Sequence, residues 1–178
     1  DLKIYHKKQG EGIMADMLVK LYDVQETREL YEKLQKKGIC IKRALGLDAS
    51  LVYRFIEENE FSARWVDECR VAFSFQPSTC YIAVKESRII GFCCYDATFR
   101  DFLGPLGVKK SERSQGIGEA LLRKCMLSMR ESGYGYAMIG WADPKAAPMY
   151  EKRFGAVRIP GSFPGIYSNM VGIEEMEE

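Results

Sequence analysis

The sequence is poor in the residues that build metal and imidazole sites. Its single histidine is His6, and its six cysteines, at positions 40, 69, 80, 93, 94 and 125, never form a Cys-x-x-Cys pair. A zinc site of the usual spacing is therefore excluded, and a cysteine nucleophile would lack its imidazole partner. The six are expected to be reduced packing thiols of an intracellular protein. Cys93 and Cys94, adjacent in a strand pattern, should point to opposite faces. Charge of one sign is also missing: 26 basic residues against 25 acidic give a net charge of +1. No bulk field exists to hold a polyanion, so nucleic acid is not an expected partner. No apolar run approaches the ~18 residues of a membrane span, and the expected compartment is the cytoplasm. Internal repeats, low-complexity tracts and interdomain linkers are absent. The four glutamates among residues 174–178 read as a solvated tail.

What is present is an ordinary globular composition. Hydrophobic residues make up 47% and charged residues 29% of 178, which argues against disorder and against a disulfide-built miniprotein. A chain of this size buries about 70% of its extended-chain surface, enough for one core. We expect an irregular lead-in over residues 1–16 and a single domain over 17–178. Met17 to Tyr22 reads as a strand. Asp23 and Glu26 resemble a capping box before a helix carrying Leu30, Tyr31 and Leu34, with Gly38 as its stop. Residues 48–59, with Asp48 or Ser50 as cap, form a second helical pattern, and a third opens at Ser62 and closes at Pro77. Thr79–Val84 and Ile89–Tyr95 predict a hairpin with a four-residue polar loop. Phe102–Val108 is extended, 116–131 is an amphipathic helix and Tyr134–Trp141 is a covered strand. Lys145–Phe154 is a short helix, with a distorted first turn at Pro148. Ala156–Ile159 and Ile166–Ile173 are two final strands. The order implies a mixed α/β fold around one sheet.

The chemistry is concentrated in Leu106-Gly107-Val108-Lys109-Lys110-Ser111-Glu112-Arg113-Ser114-Gln115-Gly116-Ile117-Gly118. Here a strand runs through a basic, glycine-bearing turn into a long helix. The helix start offers unpaired N–H groups and the positive end of the macrodipole. Glycines let an anion approach those amides, and Arg113, Lys109 and Lys110 add charge. This is a phosphate or pyrophosphate cradle. It is not a Walker loop, whose string is absent. Nor is it the dinucleotide fingerprint, whose third glycine is replaced by Leu121.

The remaining pattern, Arg-x-x-Gly-x-Gly at Arg113 to Gly118 after a strand ending at Val108, resembles the GNAT superfamily of N-acetyltransferases. Ser114 stands where the family usually has glycine, and Lys110 where it often has proline; neither change removes a backbone amide. Pro105, without an N–H and flanked by glycines, suits the family's strand that splays from its neighbour and leaves amides free for a thioester. Asp143 to Ala156 is similar to the family's Asn-x-x-Ala-x-x-x-Tyr-Glu-Lys-x-Gly-Phe segment, with Asp143 for the asparagine and one extra residue before Gly155. The element order fits from about residue 17 onward.

The resemblance implies a central, mostly antiparallel, splayed sheet of about six to seven strands flanked by helices. It also implies transfer of the acetyl group of acetyl-CoA, a co-substrate, to an amine by direct attack, without a metal. Acetyl-CoA would lie on Leu106, Gly107, Val108, Arg113, Ser114, Gln115, Gly116, Ile117, Gly118 and Tyr150. Tyr150 would be the general acid toward the leaving thiolate, and the Val108 N–H the oxyanion donor. An acceptor ammonium of pKa ~10.4 costs about 4.6 kcal/mol to deprotonate at pH 7, so a base is needed. Asp101, Glu57, Glu58, Asp143 and a water chain all remain open for that role. The acceptor pocket is expected from residues 39–76 and the Pro160–Tyr167 loop, both rich in aromatics, with Trp141 lining the channel. The expected partner is a small-molecule amine, and the chain a monomer or homodimer. A protein lysine or N-terminus as acceptor, or a non-catalytic acyl-CoA sensor, are the alternatives.

Overall fold

A computed structural model describes residues 14–172. The expected acidic tail, His6 and most of the expected lead-in lie outside the described residues. Seven strands form two antiparallel sheets, four-stranded β2-β3-β4-β5 and three-stranded β6-β1-β7. The strands are β1 (Ala15–Lys20), β2 (Ile39–Arg43), β3 (Cys80–Lys85), β4 (Arg88–Tyr95), β5 (Leu103–Val108), β6 (Tyr136–Ala142) and β7 (Val157–Arg158). The helices are α1 (Arg28–Lys36), α2 (Ala49–Glu58), α3 (Arg64–Ser74), α4 (Ile117–Glu131) and α5 (Ala147–Phe154). The mixed, splayed, mostly antiparallel architecture expected from the sequence is the one observed, but as two sheets in place of one, because only the isolated Phe102–Met138 bridge joins them.

Alternation along β4 divides the interior in two. Cys93 belongs to a core with Leu34, Leu121, Met126 and Phe154, which α1, α4 and α5 cover. Cys94 belongs to the other core, with Val52, Phe55, Ile56, Val66 and Phe92, beneath α2 and α3. The two neighbours thus face opposite sides, as the pleat requires. Leu121, Cys125, Met126 and Met129 on α4 are fully buried, each large side chain worth roughly 1.5–3 kcal/mol of transfer free energy. All six cysteines are free thiols.

Several local expectations are corrected. The described part of the expected strand at 166–173, residues 166–172, is not a strand: Gly165–Asn169 is a 3-10 helix. The three-stranded sheet is completed by β1, which lies between β6 and β7, pairing Val19 with Ala137 on one side and Leu18 with Val157 on the other. β1 begins at Ala15, two residues into the expected lead-in, and its Met17 and Val19 are fully buried. β2, to which the sequence pattern assigns no element, is an edge strand whose Ile39 alone is buried, too weak an alternation to stand out. Asp23 does not cap α1, which starts after Thr27 without a side-chain cap, because Leu21–Asp23 close their own 3-10 turn. The β3–β4 hairpin turns on two residues, Glu86 and Ser87, both at positive φ, instead of four. Pro148 sits in the first turn of α5, where its missing N–H has no intrahelical partner to lose.

Candidate functional site

β5 pairs along one edge only. Its ladder to β4 matches Gly107 with Phe92 and Val108 with Gly91. Its other edge meets β6 at one point, where the Met138 N–H donates to Asp101 O at 2.9 Å and Phe102 bridges Met138. Beyond that contact the two sheets part, and the opening is a groove of about 1350 Å³. Single ligand pockets commonly hold about 300–1,000 Å³, so this groove has room for two reactants.

One wall comes from residues 103–108, 113–114 and 116–119. Leu106, Gly107, Val108, Arg113, Ser114, Gly116, Ile117 and Gly118 all line it. The Val108 carbonyl accepts from Arg113 Nε at 3.0 Å and so points away from β4. In an extended strand a residue's N–H points the same way as its C=O, which directs the Val108 N–H into the splay. Gly116 caps α4 at φ +91°, and the first intrahelical bond runs from the Ala120 N–H to Gly116 O at 3.0 Å. Among the described residues the amides of Gly116, Ile117, Gly118 and Glu119 donate to no protein acceptor, as a helix start dictates. A Cβ on Gly118 would stand 3.9 Å from Leu106 and Val108, on the side that faces β5. Orphan amides, a bare glycine and the Arg113 guanidinium together fit a diphosphate.

Gln115 is not on this wall. Its Nε2 donates to the Glu112 carboxylate at 2.8 Å and its Oε1 accepts from Lys37 Nζ at 3.2 Å. It braces the turn, and Lys85 followed by Gln115 holds the Glu112 carboxyl below its ordinary pKa. Lys109 and Lys110 do not line the groove either. Ser114 sits at φ +62°, a conformation glycine adopts at less cost.

Tyr150, on α5, lines the groove at the foot of this wall and is 8% exposed. Burial first, then Cys93 and Asp143, push its phenol up to about 12, so it holds its proton throughout the neutral range. Its hydroxyl has no hydrogen-bond partner among the described residues. Asp143 also lines the groove, its Oδ1 accepting from the Lys145 N–H at 2.8 Å. Asp101 does not line it, and Glu57 and Glu58 are exposed on α2 away from it.

A profile of the acetyltransferase (GNAT) family matches residues 48–156, more than half of the chain. The chain belongs to the GNAT family. The matched span holds the Arg113–Gly118 turn, β5 and Tyr150, while β1 lies outside it. No curated protein matches the sequence significantly. Among solved structures, the GNAT chain is similar to a GCN5-related glucosamine N-acetyltransferase region of a fungal multi-domain GH3 β-N-acetylglucosaminidase, with TM-score 0.67, 14% identity, and 84% of this chain and 20% of that one covered. It is also similar to a GCN5-related N-acetyltransferase from Sphaerobacter thermophilus, with TM-score 0.64, 22% identity and coverages of 83% and 49%. A third likeness is to a GCN5-related N-acetyltransferase from Kribbella flavida, with TM-score 0.56, 16% identity and coverages of 82% and 54%. The GNAT chain thus spans about half or less of the length of these relatives.

The opposite wall falls largely in the segments expected from the sequence, residues 39–76, the Pro160–Tyr167 loop and Trp141, with Thr98 outside them. It combines Phe61 from the connection before α3, Trp65 and Glu68 from α3, Thr98 after β4, Trp141 at the end of β6, and Tyr167 from the 3-10 helix. Phe61 stacks on Trp65 at 5.1 Å between centroids, and Tyr167 lies 4.4 Å from Trp141. Trp141 is fixed by its N–H to Asp16 Oδ1 and its Nε1 to Pro164 O, each 3.0 Å. Among the described residues no helix is long and apolar enough to cross a membrane.

Proposed function

We propose that this chain is an N-acetyltransferase that moves an acetyl group from acetyl-CoA to the primary amine of a small molecule. The observation that carries the reading is the coincidence, on one groove wall, of the orphan amides of α4, the unpaired edge of β5 and the Tyr150 hydroxyl. Acetyl-CoA, when bound, supplies an activated acetyl thioester. The amides of Gly116, Ile117 and Gly118, with Arg113, hold its diphosphate. Leu106, Gly107 and Val108 pair with the arm that reaches the thioester. The Val108 N–H donates where negative charge develops on the acyl oxygen. Tyr150 donates toward the departing sulfur, and its raised pKa keeps that donor available across the neutral range. The ammonium gives up two protons to solvent in becoming an amide, the sulfur gains one from Tyr150, and Tyr150 is reprotonated from solvent.

The room left beyond the cofactor wall, and the aromatic lining there, support a small acceptor over a folded protein. The test is a panel of small amines and lysine peptides with acetyl-CoA, read by free-thiol release. Turnover confined to small amines is the expected result. Turnover of peptides alone would reassign the acceptor. Acetyl-CoA binding without turnover of any amine would make the chain an acyl-CoA sensor.

A further inference from the structure

Four carboxylates line the groove, and two of them are paired with arginines. Asp67 pairs with Arg70 at 2.7 Å. Glu119 pairs with Arg123 at 2.8 Å and Arg153 at 3.4 Å. Asp143 has no basic partner among the described residues either, but it is exposed to water and accepts from the Lys145 backbone N–H. Glu68 is different. It is half-buried on α3, its Oε1 accepts from the Thr98 hydroxyl, and among the described residues no basic side chain reaches it. Arg64, one turn away and itself lining the groove, donates to Val171 O at 3.1 Å and not to Glu68. A carboxylate taken from water without a cation is costly to hold. Burial raises the Glu68 carboxyl above its ordinary pKa, with the Thr98 hydroxyl opposing.

The surroundings of Glu68 suit a positive guest. Trp65, Phe61, Trp141 and Tyr167 line the same groove, and aromatic faces attract cations. Tyr167 reaches deep because Gly140 has no side chain: a Cβ there would collide with the Tyr167 hydroxyl and come within 2.8 Å of the Phe102 ring. Its phenol is pushed up by burial and by the nearby Glu68 and Asp16, with Thr98 opposing, so it remains a neutral donor.

We infer that Glu68, braced by Thr98 and walled by Trp141 and Tyr167, is the anchor for an ammonium group of the acceptor, which makes the acceptor a cationic amine. This deepens the acetyltransferase reading and rests on it for the word acceptor. An arriving ammonium gives Glu68 the counter-charge that the fold withholds, and a neutral molecule of the same shape does not.

The two tryptophans of the chain, Trp65 and Trp141, both line the groove, so their fluorescence reports binding there. Butylammonium chloride and pentan-1-ol, within one heavy atom of each other and different in charge, serve as probes for the whole chain, for Glu68→Gln and for Thr98→Val. The wild-type protein should bind butylammonium at least tenfold more tightly than pentanol. Glu68→Gln should bind both alike, and Thr98→Val should retain part of the preference. Equal binding by the wild type, or an unchanged preference in Glu68→Gln, overturns the inference. If Glu68→Gln fails to fold, the wild type alone decides: raising salt must weaken butylammonium and leave pentanol unaffected, and butylammonium binding indifferent to salt overturns it. The acetyl-CoA thermal shift, measured in parallel, should be the same in wild type and Glu68→Gln. Its absence from both would sink the cofactor reading while leaving the ammonium preference to stand or fall separately.

Discussion

The two walls of the groove are built by different means. The wall formed by β5 and the start of α4 comes from one stretch of chain, and what it offers is mainly backbone: the Val108 N–H, the amides of Gly116 to Glu119, and glycines that keep side chains out of the way. The facing wall draws single side chains from α3, the turn after β4, the end of β6 and the 3-10 helix at 165–169. The first kind of wall binds a chemically constant group and tolerates changes of side chain. The second sets what sits opposite, and each member depends on segments far away in the chain.

The largest effect should come from closing the backbone wall. Gly116→Val forces a β-branched residue into φ +91° and brings its Cβ to 2.8 Å from Leu30, a strain of roughly 1–2 kcal/mol from the backbone alone. The acetyl-CoA-induced rise in Tm should vanish. A ligand at 100 times its Kd adds about 2.7 kcal/mol, so the loss is easily read by melting curves. A full shift in this variant would erase the distinction between the walls.

Next comes chemistry without binding. Tyr150→Phe should lower kcat about a hundredfold and leave acetyl-CoA affinity within about twofold, measured by thiol release and by titration. The pH profile sharpens the point. An ordinary tyrosine ionises near 10, whereas Tyr150 is pushed up to about 12, so the donor is present below that range and lost only as pH climbs through it. Alkaline loss of kcat assignable to Tyr150 should therefore be absent at pH 10, and a Tyr150-dependent fall centred there would contradict its burial.

A smaller effect is expected on the facing wall. Gly140→Ala pushes on Tyr167 and Phe102, and should raise the acceptor KM about tenfold while the acetyl-CoA Kd stays put; a change in both would mean the walls are not independent. Smallest is Ser114→Gly, which relieves a positive φ of +62°. It should add up to about 1 kcal/mol, a Tm gain of roughly 2–4 °C.

The same contrast explains what the sequence disclosed. Arg113 to Gly118 and the strand before it are contiguous, and a helix start that needs bare amides leaves a pattern of glycines in the chain itself. Eight of the nine residues expected from that stretch line the groove; Gln115, at the right spacing, turned instead to Glu112 and Lys37, partners no local pattern names. Glu68 carried no signal, since a glutamate on an amphipathic helix reads as solvated until Thr98, thirty residues later, folds against it. The fold followed the same rule. Long periodic segments such as α4 were legible, whereas the described part of the expected strand at 166–173 winds into a 3-10 helix whose Tyr167 packs on Trp141, a contact no local pattern signals.

The account depends most on the free amides of α4, and a backbone NMR titration with coenzyme A tests them directly. The largest amide shifts are predicted at Gly116, Ile117 and Gly118, with Val108 following only when the acetyl thioester is used. Saturable binding that leaves those three amides unmoved would contradict the proposed site.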